Sequence, residues 1–162
     1  MGVVTDIVAT YRQPRKVMWR LLAMGRREDR PLAFVMAGCT LVFLSQWPVL
    51  ARQAHFENED LNMLLGAALL GWVVLAPLML YCLSGVSHIL GLLVGRKGSA
   101  FAARLALFWA LLASSPLILL NGLVGGFIGQ GPALQSVGAI WLGVFLWFWL
   151  CCMSCSEGEL DS

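Results

Sequence analysis

Long apolar runs separated by short polar interruptions organise this chain. From Pro31 to Leu50 twenty residues carry no charge, and about twenty such residues match one bilayer crossing. Pro31 suits a first helical turn, where its missing N–H costs nothing, and Trp47 stands near the far end, where an indole favours the interface. A second run, Asn62 to Gly95, would rise about 50 Å as one helix, more than a hydrocarbon core of roughly 30 Å requires. Pro77 near its middle predicts a kink. Ala76-Pro77-Leu78 offers no polar residue for a turn, so the run reads as a single tilted helix. The Gly95–Ser99 turn leads into a third run, about Ala100 to Asn121, which Ser114-Ser115-Pro116 should bend. The five glycines and one proline between Gly122 and Pro132 predict a turn or a short re-entrant segment. A fourth run covers about Ala133 to Cys155.

Residues 1–30 have a different pattern. Val3, Val4, Ile7, Val8 and Tyr11 recur at helical spacing up to Pro14, and Val17, Met18, Leu21 and Leu22 form a second stripe. Arg15, Lys16 and Arg20 fall mostly on other faces, Trp19 near the border, and Gly25 suits a C-cap. Basic amphipathic helices of this kind lie in the headgroup plane. They serve either as an anchor for the first span or as a docking platform for a partner. The expected architecture is an all-α integral membrane protein, a four-span helical bundle with N-terminal amphipathic interfacial helices. The spans are about 31–50, 62–95, 100–121 and 133–155.

Charge fixes the expected orientation. Between Asp60 and Glu157 there is no carboxylate, and the only Lys or Arg residues there are Arg96, Lys97 and Arg104. A soluble domain is about one quarter charged, whereas this chain is 12% charged. Seven of its eleven basic residues lie between Arg12 and Arg30, and the Arg96-Lys97 turn is also basic. The loop from Ala51 to Leu61 is acidic on balance, and the Gly122–Pro132 loop is uncharged. The positive-inside rule then places both termini in the cytoplasm, including an acidic tail at 156–162. The first thirty residues are too charged to hold an apolar signal core, and the apolar run before Met36-Ala37-Gly38-Cys39 is too short for a lipoprotein signal.

Candidate chemistry is sparse. Without intramembrane carboxylates, paired-acid catalysis and the usual proton relay lack their main parts. Neither phosphate-cradling nor zinc-peptidase nor nucleophile-elbow motifs occur, so no catalytic residue, cofactor or metal is expected, and no nucleic acid. His88 shares a helical face with Ser84, Gly91 and Gly95, a small polar face suited to helix packing. The alternative for His88 is a ligand or proton role. Arg104, about one turn inside the third span, should snorkel to the interface. Cys151, Cys152 and Cys155 include a Cys-x-x-Cys spacing, which without a second pair or a nearby histidine reads as ordinary membrane-helix cysteines. Asn121 and Gln46 suit bonds between helices.

The turn into the third span, Gly95-Arg96-Lys97-Gly98-Ser99-Ala100-Phe101, followed by Arg104, Phe108-Trp109 and Pro116, resembles the Yip (Ypt/Rab-interacting protein) membrane family. The long second helix and the spaced Trp141, Trp147 and Trp149 are similar too, and the resemblance covers roughly residues 30–155. It departs in having four spans where the family usually has five, and in keeping Gly95 alone where the family's turn commonly has a glycine pair. The resemblance implies a non-enzymatic membrane protein; the family's eukaryotic members bind small GTPases, and this chain looks like a short bacterial member to which that partner does not carry over. The expected role is an inner-membrane scaffold or assembly protein. It would engage a protein partner or anionic lipid through Arg12, Arg15, Lys16, Arg20, Arg26, Arg27, Arg96, Lys97 and Arg104. The alternative is a small-solute or ion carrier acting as a homo-oligomer, with Pro77, His88, Pro116 and Asn121 lining a bent path.

Overall fold

The computed structural model describes residues 2–95 and 98–156, and these fold into helices joined by short connections. α1 (Val3–Arg12) and α2 (Pro14–Ala23) form a hairpin, with Pro14 at the first position of α2. α3 runs from Asp29 to Glu57 and α4 from Leu61 to Leu69. A π-helical stretch, Leu70–Leu75, joins α4 to α5 (Ala76–Leu93). α6 (Ala100–Ala113) and α7 (Ser115–Phe127) are followed by α8 (Pro132–Ser156). Three helical stretches are long and apolar enough to cross a membrane, and a fourth if the α6–α7 pair counts as one span.

α3 and α7 run past their expected limits, and contacts between them show why. α3 continues past Leu50 through the segment read as a loop. There the Arg52 guanidinium donates to the carbonyls of Gly126 and Phe127 at 3.3 Å each, which satisfies acceptors left open at the end of α7. Only Asn58–Asp60 connect α3 to α4. Asn58 adopts the left-handed conformation, and the Asp60 carboxylate caps the Asn62 N–H at 2.9 Å. The second run is one 33-residue helical stretch. Its π-helical register lies just before Pro77, where the missing N–H disturbs the α-helical ladder. The third run bends by 44° at Ser114, whose hydroxyl donates to the Leu111 carbonyl at 3.0 Å.

The expectation of a turn or short re-entrant segment over the whole of Gly122 to Pro132 is narrowed to its last part. Residues up to Phe127 are helical, and only 128–131 form the connection. The glycines serve close packing instead. Gly122, Gly125, Gly126 and Gly129 recur at three- and four-residue spacing against Ser45, Val49, Pro48 and Arg52 of α3. A Cβ at Gly122 would overlap the Ser45 carbonyl, and one at Gly125 would stand 2.9 Å from the Val49 side chain. Small residues allow this approach between helices that have no hydrophobic drive to associate in lipid.

α6 is the centre of the molecule. Twelve of its fourteen residues are buried, because α1, α3, α5 and α8 surround it. An apolar helix of this kind belongs inside a bundle. The outer helices show the reverse pattern. Leu70, Val74, Leu78, Met79 and Val86 on the second run, and Leu142, Trp147 and Leu150 on α8, are exposed. Exposed apolar patches on soluble monomers rarely exceed a few hundred Å², so this exterior suits lipid.

Candidate interaction face at the basic end of the bundle

The described cations among those expected to face a partner divide into two groups. Arg12, Arg15, Lys16, Arg26 and Arg27 are exposed. Arg12, Arg15 and Lys16 cluster around the α1–α2 connection. Arg26 and Arg27 follow Gly25, whose φ of +90° ends α2 in the left-handed region open to glycine. The other group is tied into the fold. Arg20 of α2 bonds Asp6 of α1 at 2.7 Å, which clasps the hairpin. Arg104 of α6 bonds Glu28, just before α3, at 2.5 Å. Arg20 and Arg104 therefore already have carboxylate partners within the chain. Their pairing could not be read from spacing, because Asp6 and Glu28 lie fourteen and seventy-six residues away from them. Arg96 and Lys97 lie outside the described residues, as does the acidic tail beyond Ser156.

The second apolar stripe does not rest on a membrane surface. Val17, Met18, Leu21 and Leu22 are buried in one cluster with Phe101, Ala102, Leu105 and Trp109 of α6 and with Cys152 and Cys155 of α8. The first stripe behaves differently. Val3, Val4 and Val8 are exposed, while Asp6 and Thr10 are buried. The Thr10 hydroxyl donates to the Asp6 carbonyl at 2.7 Å and accepts from the Trp109 indole at 3.1 Å. Tyr11 packs edge-on against Phe148 of α8, with ring centroids 5.0 Å apart. Partial burial there raises its phenol pKa. No pattern signal in the sequence singles out Thr10 or Asp6, since both look like ordinary solvent-side residues of an amphipathic helix.

Two apolar cavities open among the long helices. An apolar cavity of about 680 Å³ opens between the second run and α8, with Trp72, Trp141 and Phe145 on its walls and Cys39, Val42 and Leu111 behind them. A second, of about 260 Å³, lies farther along the same pair of helices, beside Ser87, Gly91, Trp149 and Met153. Neither of these two is lined by Pro77, His88, Pro116 or Asn121. Ser84, on the expected His88 face, is buried and bonds its own helix at Tyr81. Gly95 lies past the end of α5 with φ +82°, and nothing stands within 4 Å of the place a Cβ would take, so it ends the helix instead of packing against a neighbour. Asn121 faces Gly138 of α8, and its buried Oδ1 meets no donor among the described residues. Cys152 and Cys155 are buried under α2, and among the described residues no three His, Cys, Asp or Glu side chains stand together as metal ligands do.

Compared with protein-family models, with curated proteins and with solved structures, the chain matches none.

Proposed function

We propose that the chain is a non-enzymatic, Yip-like scaffold of a bacterial inner membrane. It has four spans, both termini in the cytoplasm, and a basic cytoplasmic rim that engages a partner protein or anionic lipid. The observation that carries this reading is the division of the cations. Arg20 joins the two helices of the N-terminal hairpin, and Arg104 ties Glu28, just before α3, to α6. Arg12, Arg15, Lys16, Arg26 and Arg27 are left exposed at that same end. A cluster of this kind near a membrane attracts anionic headgroups by about 1 kcal/mol per residue, and a partner's acidic surface by the same electrostatics.

The test is co-purification from native membranes in mild detergent at chromosomal expression level. Neutralising Arg12, Arg15 and Lys16 as glutamines leaves the Asp6–Arg20 clasp in place. A stoichiometric partner that is lost on neutralisation is the expected result. An eluate holding only this chain and unselected lipid, unchanged by the substitutions, contradicts the scaffold reading.

A further inference from the structure

α1 is turned inside out relative to a helix on a soluble protein. Asp6 and Thr10 face the bundle at 8% and 0% exposure, while Val4 and Val8 face outward at 74% and 63%. At 100° per residue, Val4 and Val8 fall on one side of the helix and Asp6 and Thr10 on the other, with Ile7 and Tyr11 at the margin, where Ile7 packs on the core and Tyr11 on Phe148. A helix lying across the end of the bundle could bury a polar face in this way and still present valines to water. The contacts argue against that placement. Thr10 reaches Trp109, nine residues into α6, and Tyr11 reaches Phe148, eight residues before the end of α8. At 1.5 Å per residue those positions lie about 12–14 Å inside the helix ends. The C-terminal half of α1 therefore runs beside the spans. Trp147 of α8, in ring contact with Phe148, is itself exposed.

We propose that α1 is a half-inserted helix in the cytoplasmic leaflet, with Val4 and Val8 against lipid acyl chains and Asp6 and Thr10 latching it to the bundle. This rests on the membrane reading above. The occupant follows from the chemistry of the two faces. In lipid the outer surface of a bundle is apolar and its polar groups turn inward to partners. α1 follows that rule at Val4 and Val8: the one cation on that side is Arg12 at its last position, and its one carboxylate is paired with Arg20. The cations at the hairpin connection, Arg12, Arg15 and Lys16, have aliphatic stems long enough to lift their charges to the phosphate level. The hairpin is then fixed by lipid on one side and by Trp109 on the other.

The experiment places the full-length protein in nanodiscs of phosphatidylethanolamine and phosphatidylglycerol. The lipid is doped with a phospholipid bearing a photoreactive diazirine on either its acyl chain or its headgroup, and adducts are located by peptide mass spectrometry. Acyl-chain adducts on Val4 or Val8, alongside those on Leu78 and Met79 of α5, are the expected result. Acyl-chain adducts on α5 with only headgroup adducts on α1, or none there, overturn this inference and leave the membrane reading standing. Absence of acyl-chain adducts from both helices overturns the membrane reading and this inference with it.

Discussion

Thr10 uses its hydroxyl twice, donating within α1 and accepting from an indole whose ring is fully buried. Removing that acceptor leaves the Trp109 N–H without a partner in an apolar core, which costs about 1–3 kcal/mol. Thr10→Val should therefore lower the thermal midpoint of the purified protein clearly, while Thr10→Ser, which keeps the oxygen, should lower it little. The two ion pairs differ in the same physical way. The Asp6 side chain is 12% exposed and the Glu28 side chain 62%. A charge-assisted bond to a largely buried carboxylate is worth about 1.5–3 kcal/mol, and an exposed pair under about 1 kcal/mol. Asp6→Asn should destabilise measurably more than Glu28→Gln in matched melts. Equal losses would mean that the hairpin clasp is no more than a surface contact.

At the scale of elements, the glycines divide into those that pack and those that do not. Gly122 and Gly126 stand against the backbone of α3 at Ser45 and Pro48, where a methyl group has no room unless the helices separate. Overpacking of this kind costs about 1–3 kcal/mol or more. Gly66 and Gly85 are helical with nothing within 4 Å of a Cβ position, and replacing such a glycine by alanine gains up to about 1 kcal/mol in helix propensity. Gly122→Ala and Gly126→Ala should lower the melting temperature, whereas Gly66→Ala and Gly85→Ala should leave it unchanged or raise it. The same contrast shows why glycine content misled the sequence reading between Gly122 and Pro132. Five glycines and a proline signal a turn in water, but in a membrane bundle the same residues bring two backbones together. Their spacing of three and four residues is a helical signal, and here it outweighs composition.

For the whole molecule, the apolar runs and the absence of carboxylates between Asp60 and Glu157 made the helical, membrane-type architecture legible. Helix limits were legible only where a charge or a proline coincided with an end. α3 runs on to Glu57 because Arg52 reaches the carbonyls of α7, a contact between residues more than seventy positions apart. The cations of the candidate face were visible in sequence, but which of them are taken up by carboxylates was not, because those pairings join different helices. Nor does a helical stripe say on which side the protein lies. The stripe of α2 turns inward, whereas that of α1 splits, with Val4 and Val8 outward and Ile7 and Tyr11 packed on the bundle, and only the packing of α6 and α8 decides between them.

A cytoplasmic rim on a four-span protein requires the basic end of the bundle and the α7–α8 connection to lie on opposite sides of the membrane. The most direct measurement inserts a protease site beside Arg26 in one variant and beside Gln130 in another, both exposed connections, and digests intact spheroplasts and inverted vesicles. Cleavage beside Arg26 only in inverted vesicles, and beside Gln130 only in spheroplasts, is the predicted result. Cleavage of both sites from the same side, or of the Arg26 site from outside the cell, would contradict a four-span protein with a cytoplasmic basic face.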